Sequence, residues 1–318
     1  MKPGKIVAGR YEILAPLGAG GMGEVYRARH RALEKDVALK LLTVGSRDFE
    51  LRFEREAKAV ARLDHTHCVR VIDYGRTDTH HFIAMDLLVG ETLARALAGG
   101  PFSIARALHI SRGLLGALEH AHAHGVLHRD VKPENVILVG SRPVLIDFGL
   151  AKLAGAGRLT ANGMCMGSPS YVAPERLIGK PADPRTDLYA VGVTMYEMLA
   201  GSRPFTGPSP QETMERALRR PPKPLRSLRP DLPRELEHII RKALAKDPDR
   251  RFPSAAAMLE ALADVPLFED EQPARAMTRV DEQSTTALVT FHQPTWWQRV
   301  WSWLRYGAWR WSRVARAA

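Results

Sequence analysis

Two short polar motifs constrain this chain most: residues 128–135 read His-Arg-Asp-Val-Lys-Pro-Glu-Asn, and residues 147–149 read Asp-Phe-Gly. Phosphoryl transfer needs little covalent chemistry from a protein, but it needs a group that orients the attacking hydroxyl and cations that neutralise the phosphates. Asp130 suits the first task, and Asn135 and Asp147 carry oxygen ligands suited to Mg²⁺. A solvated loop can also hold Asp, Lys and Asn, but eleven matched positions favour phosphoryl transfer.

A glycine-rich motif lies near the start of the chain, where residues 18–25 read Gly-Ala-Gly-Gly-Met-Gly-Glu-Val and match G-x-G-x-x-G-x-V. Strand-like segments flank it on both sides, whereas a dinucleotide-binding loop opens directly into a helix. Gly18, Gly20 and Gly23 permit close approach of the backbone to phosphate oxygens. We therefore expect a nucleotide here, with Lys40 of the following strand reaching its phosphates.

The acidic partner of Lys40 is expected on the helix that follows, and two glutamates compete for the role. Glu56 lies sixteen residues after Lys40, and Glu54 lies two positions earlier on another helix face. Glu56 shares its face with the apolar residues Phe53 and Val60. Glu56 is therefore the predicted partner.

Composition and charge are those of a soluble globular chain, with 318 residues, 25% charged residues and a net charge of +11. A positive excess can indicate nucleic acid or anionic lipid as a partner. The Arg and Lys residues between Arg216 and Arg251 are interpreted as solvated helix faces, so no nucleic-acid partner is predicted. This length allows one large domain or two lobes with substantial cores.

The cellular compartment follows from what the chain lacks. Its two cysteines, Cys68 and Cys165, exclude a disulfide framework and fit a reducing compartment. The first ten residues lack the apolar core of a signal peptide, and no run of 18 residues is free of charge. A cytoplasmic location is predicted.

The pattern of apolar residues divides the chain into a strand-rich and a helical part. Residues 10–86 contain five strand-like segments, at 11–14, 23–28, 37–42, 69–74 and 81–85, and one helix from Phe49 to Leu63 with Phe53, Ala57, Val60 and Ala61 on one face. A long helix is predicted from Ser103, its N-cap, to about His124. Later helices are predicted near 184–201, 210–219, 233–244 and 253–263.

Over about residues 10–264 these motifs resemble those of bacterial Hanks-type (eukaryotic-like) serine/threonine protein kinases. The resemblance implies an α+β, two-lobed fold: a small lobe (about 10–86) with a five-stranded antiparallel sheet and a helix, and a larger, mainly helical lobe (about 87–264). It implies an ATP:protein phosphotransferase that uses ATP and Mg²⁺, acts on protein substrates and works in signal transduction. A pseudokinase-type nucleotide-binding scaffold and a small-molecule phosphotransferase are the alternatives.

The resemblance also assigns roles to matching positions. Asp130 would accept the substrate hydroxyl proton, Lys132 would stabilise the γ-phosphate, and Asn135 and Asp147 would bind Mg²⁺. His128 is expected to be a structural anchor of the loop. The residues that would surround the adenine are Val25 and Ala38 above it, Met85 as gatekeeper, and a hinge at 86–88 that includes Leu88.

Regulation is expected in the activation segment, which runs from Asp147 to Glu175. In the family, Arg129 pairs with a phosphate on this segment, and Thr160 stands where relatives carry an autophosphorylation site. Ser168 would hydrogen-bond Asp130 and Lys132. The contacts expected to brace the region are Glu175 with Arg250, and Asp187 with the catalytic loop backbone.

Beyond the kinase-like region, residues 265–295 are predicted to form a flexible polar linker. Thr278, Thr285 and Thr286 are candidate autophosphorylation sites that would recruit phosphothreonine-binding partners, and autophosphorylation between two copies would need a transient dimer. Residues 296–318 hold all six Trp and five Arg, largely on opposite arcs of a helix with Trp309 as an exception. Such a tail suits the surface of an anionic membrane; docking on protein, or disorder, are the alternatives.

Overall fold

The small lobe is built on a curled antiparallel sheet. The computed structural model describes residues 1–20, 23–43, 47–148 and 169–265. The strands are β1 (Ile6–Val7), β2 (Tyr11–Gly20), β3 (Gly23–His30), β4 (Lys35–Thr43), β5 (Val71–Arg76) and β6 (His80–Asp86), in the order β1-β2-β3-β4-β6-β5. The five predicted strands are present, and Ile6–Val7 adds a sixth that the sequence did not predict.

Helix α1 (Arg47–Val60) lies between β4 and β5 in the chain. Phe53, Ala57 and Val60 are buried, as the helical spacing predicted. Ala61 was expected on the same face, but it is exposed because the helix ends one residue before it. The predicted strand start at Val69 is also early, since residues 61–70 form a connecting loop and β5 begins two residues later.

The larger lobe is mainly helical, as predicted. Its helices are α2 (Leu93–Leu97), α3 (Ile104–Ala123), α4 (Pro174–Leu177), α5 (Pro184–Ala200), α6 (Pro210–Arg219), α7 (Arg234–Ala243) and α8 (Ala255–Ala263). A small sheet of β7 (Glu91–Thr92), β8 (Val136–Val139) and β9 (Arg142–Leu145) lies at the cleft. Ser103 caps α3 as expected, because its hydroxyl accepts a hydrogen bond from Arg106 N at 3.2 Å.

Helix α5 forms the centre of the larger lobe and is buried along most of its length. Asp183 and Thr186 form a capping box at its start, and Gly201 ends it with a φ of 68°, a conformation that glycine adopts without steric cost. The apolar core around α5 includes α3, α7 and α8. This rigid helix carries Asp187 beneath the catalytic loop.

A second apolar cluster joins the two lobes at the cleft. It combines Leu17, Ala38 and Met85 from the small lobe with Ile137 and Ile146 from the larger one. The cleft therefore has apolar walls contributed by both lobes. Within the described parts of the chain, none of the helices has the length and apolar character needed to cross a membrane.

Candidate active site

The catalytic loop, residues 128–135, lies between α3 and β8. Two of its side chains donate hydrogen bonds to the carboxylate of Asp130. Lys132 Nζ donates to Asp130 Oδ2 at 2.6 Å, and Asn135 Nδ2 donates to the same oxygen at 2.9 Å. Asn135 Nδ2 also donates to the Asp130 carbonyl at 2.7 Å. These charge-assisted bonds fix the rotamer of Asp130. Asp130, Lys132 and Asn135 are therefore brought together as predicted.

Asp187 holds the backbone of this loop. Its carboxylate, only 1% exposed, accepts hydrogen bonds from His128 N at 2.9 Å and from Arg129 N at 2.7 Å. His122 Nε2 lies 2.9 Å from the same carboxylate. Arg129 has a φ of +66°, an uncommon conformation for a non-glycine residue that persists only where surrounding contacts impose it. The structure confirms the contact expected of Asp187, and sequence reasoning missed the contribution of His122.

His128 is an anchor inside the protein. The ring is fully buried, and burial lowers its pKa, so the neutral imidazole is favoured. Nε2 donates to the Ile146 carbonyl at 2.8 Å, and Nδ1 accepts from Asp130 N at 3.3 Å. The imidazole thus ties the catalytic loop to the residue that immediately precedes Asp147, as predicted.

Lys40 and Glu56 do not form the expected ion pair. Lys40, 4% exposed in β4, pairs instead with Asp147, and the Nζ–Oδ1 distance is 2.8 Å. Glu56 on α1 lies 3.5 Å from Arg129 Nη1 and 3.3 Å from Arg55. The physical reason is competition: a buried carboxylate takes the cation that the position of α1 brings nearest, and here that cation belongs to the catalytic loop.

Asn135 and Asp147 present the donor set expected for a hard divalent cation. Both hydrogen bonds of Asn135 start from its nitrogen, so its amide oxygen remains available among the described contacts. Asp147 uses one carboxylate oxygen for Lys40 and has a φ of +66°. Oxygen ligands of this kind suit Mg²⁺. The residues therefore fit the ion that the sequence predicted.

An apolar pocket opens between the lobes beside these polar groups. Val25, Ala38, Met85 and Leu88 line it, together with hinge residues 86 and 87, as predicted. Met85 is paired with Ala38 across strands β4 and β6, which fixes their relative position. The lining residues that sequence reasoning missed are Leu17, Val69, Ile137 and Ile146. Ile137 and Ile146 could have been found, since Ile137 lies in an apolar segment two residues after Asn135 and Ile146 immediately precedes Asp147.

The glycine-rich turn connects β2 and β3 above the pocket. Gly18 is paired with Val25, and Gly20 with Gly23. Gly23 has a φ of +141°, and a Cβ built there would lie 2.0 Å from the Leu41 carbonyl oxygen. A side chain at Gly23 would force the backbone of β4 to shift, so glycine lets β3 begin this close to β4.

A buried ion pair braces the end of the activation segment, but its arginine is not the one predicted. Glu175 pairs with Arg251, whose Nη1 and Nη2 lie 2.9 Å and 2.7 Å from its two carboxylate oxygens. Arg250 was predicted instead; its side chain is 82% exposed and lies 3.9 Å from Asp247. A short 3-10 turn at Pro248–Arg250 directs adjacent side chains to opposite sides, so only Arg251 points into the core.

Several predicted features lie outside the described residues. They are Gly149, Thr160, Cys165, Ser168, the linker beyond Val265 and the tail at 296–318. Arg129, the expected receptor of a phosphate, is described, and its guanidinium pairs with Glu56.

A braced loop around Asp130, a pair of oxygen donors suited to a cation and an apolar interlobe pocket define the class of protein kinases. The chain belongs to this family, since the model of the protein kinase domain matches residues 11–263. Serine/threonine-protein kinase PrkC of Bacillus subtilis is 32% identical over 95% of this chain and 51% of its own length. PknB of Mycolicibacterium smegmatis is 38% identical over 88% of this chain and 46% of its own length.

A solved structure shows the same fold. The crystal structure of a variant of the PknI kinase domain of Mycobacterium tuberculosis has a TM-score of 0.68 and 34% identity, and the match covers 83% of this chain and 98% of that one. The predicted two-lobed fold and the predicted resemblance to bacterial serine/threonine kinases are confirmed. The chain spans about half the length of the curated relatives it matches.

Proposed function

We propose that this chain is a serine/threonine protein kinase that transfers the γ-phosphoryl group of ATP to a protein hydroxyl. The observation that carries the proposal is how the two carboxylate oxygens of Asp130 are hydrogen-bonded. Lys132 and Asn135 both bind its Oδ2, whereas its Oδ1 accepts no hydrogen bond among the described residues. This oxygen, to which no described residue donates, is available to orient a substrate hydroxyl and to accept its proton.

Nucleotide binding would use both walls of the cleft. The adenine would lie between the side chains of Val25 and Ala38 above and Ile137 and Ile146 below, beside the backbone of the hinge at 86–88. Lys40 would bind phosphate oxygens once it exchanges its bond to Asp147. Asn135 and Asp147 would hold Mg²⁺, which supplies positive charge at the phosphates when bound.

The hydroxyl acceptor is proposed to be Ser or Thr on a protein. Two observations support this: Lys132 stands two residues after the base, and the relatives PrkC and PknB are serine/threonine-protein kinases. Activation is proposed to follow phosphorylation of Thr160 by a second copy of the chain in a transient dimer. A phosphate there would compete with Glu56 for Arg129, because both are anionic partners of one guanidinium.

The direct test is incubation of the full chain with Mg-ATP, followed by mapping of phosphorylated residues. We expect wild type to gain phosphate at Thr160, and Asp147→Asn to gain none. Asp249→Asn is the matched control, since Asp249 is 81% exposed on the surface and should leave labelling unchanged. An unlabelled wild type that also fails to label a Ser/Thr peptide library would contradict the proposal.

A nucleotide-binding scaffold without phosphoryl transfer is the second candidate. The observation in its favour is that Glu56 is ion-paired with Arg129 while Lys40 is ion-paired with Asp147. Thermal unfolding with and without Mg-ATP separates the two candidates. A ligand-induced rise in Tm without any phosphate incorporation would favour the scaffold.

The tail at residues 296–318 is proposed to hold the kinase at an anionic membrane surface on the cytoplasmic side. Its six Trp and five Arg support this role. Co-sedimentation of the full chain with anionic and with neutral vesicles, beside a chain that ends at Val265, tests it. We expect only the full chain to sediment, and only with anionic vesicles. Equal sedimentation of the full chain and the shortened chain would favour docking of the tail on protein. Capture of the chain by a phosphothreonine-binding protein would instead assign a role to the linker threonines.

A further inference from the structure

Four histidines meet where the loop after α1 crosses helix α3. The rings of His65 and His120 are stacked with centroids 5.4 Å apart, and those of His120 and His124 are 4.4 Å apart. The ring of His67 lies 5.5 Å from that of His65. None of these contacts belongs to the candidate active site. Among the described residues no group of three ligands is placed to hold a metal. The imidazoles can bind protons, however, because histidine changes its charge near neutral pH.

Two of these rings accept hydrogen bonds from the loop backbone. Asp64 N donates to His120 Nε2 at 3.2 Å, and His67 N donates to His65 Nδ1 at 3.2 Å. A ring nitrogen can accept only while it carries no hydrogen, and a protonated imidazole carries hydrogen on both nitrogens. Protonation of either ring would therefore place two donors face to face and remove the bond.

The other two histidines respond differently. His67 Nδ1 lies 2.7 Å from the Pro143 carbonyl, and His124 Nδ1 lies 2.8 Å from the His120 carbonyl. Both nitrogens must donate, so these bonds survive protonation. The sensitivity to pH is thus confined to His65 and His120.

We propose that His65 and His120, with the backbone amides of Asp64 and His67, form a proton-sensitive latch that holds the loop at 61–70 on helix α3 when neutral and releases it in acid. The latch matters because the loop begins at the end of α1. Glu56 lies one helical turn before that end. The position of Glu56, on Arg129 or elsewhere, is then coupled to the state of the latch.

The surroundings favour the neutral, closed latch. Burial lowers the pKa of His65, and the neighbouring His67 and His120 lower it further, whereas Glu119 opposes them. Gly113 and Gly116 of α3 leave room for the loop, because a Cβ at Gly113 would lie 3.0 Å from the ring of His67. The charged and titratable groups that face the two acceptor rings are Asp64, His67, Glu119, His124 and, beyond Thr66, Arg142.

Hydrogen–deuterium exchange of the full chain at pH 7.5 and 5.5 tests the latch without any use of catalysis. We expect the protection of residues 61–69, corrected for intrinsic exchange, to fall about a hundredfold in acid, about tenfold for each of the two lost hydrogen bonds. The double variant His65→Asn with His120→Gln keeps an acceptor oxygen near each position but cannot be protonated. Its protection should not change between the two pH values.

His109→Gln is the matched control on the same helix, since His109 Nε2 faces the Ser141 carbonyl and must donate. This variant should lose protection as wild type does. Each single substitution retains one titratable acceptor and should show an intermediate loss, which keeps the test valid if the double variant does not fold. No loss in wild type, or an equal loss in the double variant, would overturn the latch. So would nitrogen NMR that finds hydrogen on His65 Nδ1 at pH 7.5. Because exchange is independent of phosphoryl transfer, failure of the proposed kinase function leaves this result unaffected.

Discussion

Lys40 Nζ lies 2.8 Å from Asp147 Oδ1, and this ion pair joins the small lobe to the segment that follows β9 in the larger lobe. The Lys40 side chain is almost completely buried, whereas the Asp147 side chain is 23% exposed and lines the cleft. The pair brings the proposed phosphate-binding cation into contact with the proposed metal-binding carboxylate. In the proposed reaction, Lys40 would exchange this contact for phosphate oxygens, and Asp147 would exchange it for Mg²⁺.

Replacement of Lys40 by Met tests the cation in that pair. We expect Lys40→Met to lower phosphate incorporation at least about a hundredfold, because a preorganised charge in a desolvated site is lost. The unbranched Met fills similar space, so circular dichroism at 25 °C should match wild type. Lys58→Met is the control, since Lys58 is exposed in the last turn of α1. Incorporation within threefold of wild type would contradict the role assigned to Lys40.

The sequence predicted the residues around this pair better than their pairing. Helical spacing placed Glu56 on the buried face of α1, and Glu56 is buried there. Helical spacing cannot predict which cation contacts Glu56, because this depends on how α1 packs against the larger lobe. Arg129 lies 3.5 Å from Glu56, a contact that the sequence did not predict. The phosphate expected to pair with Arg129 belongs to a segment outside the described residues, so that pairing stays a prediction.

The same limit explains the error at the end of the activation segment. Arg250 and Arg251 are adjacent, and a motif match cannot distinguish them when a 3-10 turn separates their directions. Asp187 was easier to predict, because one position in a buried helix meets one loop. The apolar floor of the pocket was missed because β8 and β9 were not among the predicted strands, so nothing placed Ile137 or Ile146 at the cleft.

Substitution of the two neighbouring arginines distinguishes their roles. Arg251→Ala should lower the free energy of unfolding by about 3–5 kcal/mol, because it leaves the buried carboxylate of Glu175 without its charge partner. Arg250→Ala should change it by less than about 0.5 kcal/mol, since Arg250 is exposed. Urea unfolding of both variants measures the difference. Equal effects would mean that the Glu175–Arg251 pair does not form.

Asp187→Asn tests the brace under the catalytic loop. The substituted amide would turn one acceptor into a donor opposite the amide of His128 or Arg129. We expect a loss of about 1–3 kcal/mol in the free energy of unfolding, the cost of a buried donor without a partner, together with loss of phosphate incorporation. His122→Ala removes only the side-chain contact to Asp187 and should cause a smaller loss in both measurements. A fully active Asp187→Asn would contradict the bracing role.

Gly23 provides a test of the glycine-rich turn. Gly23→Ala places a Cβ 2.0 Å from the Leu41 carbonyl oxygen, so β3 and β4 must separate. We expect an apparent affinity for Mg-ATP reduced about tenfold and a free energy of unfolding lower by about 1–3 kcal/mol. Gly9→Ala is the matched control: Gly9 also has a positive φ, of 68°, but nothing lies within 4 Å of its added Cβ. Nucleotide binding equal to wild type in both variants would show that the turn accommodates a side chain.

The buried Lys246 should make the free energy of unfolding depend on pH in the alkaline range. Burial, and secondly the charge of Arg251, lower the pKa of Lys246 from its ordinary value of 10.5 to about 8. Its Nζ donates to the Ala217 carbonyl at 2.6 Å and lies 3.6 Å from the centroid of the Phe205 ring. Between pH 8 and 10.5 the unfolded chain binds more protons at this residue than the folded one, so its contribution to the free energy of unfolding rises with pH across that window. We expect a rise of about 1–3 kcal/mol in wild type relative to Lys246→Met, measured by urea unfolding at pH 8 and 10. Lys242→Met, at a position that lies over Phe252, is the control and should keep the wild-type slope. If Lys246→Met kept that slope as well, another group would be responsible.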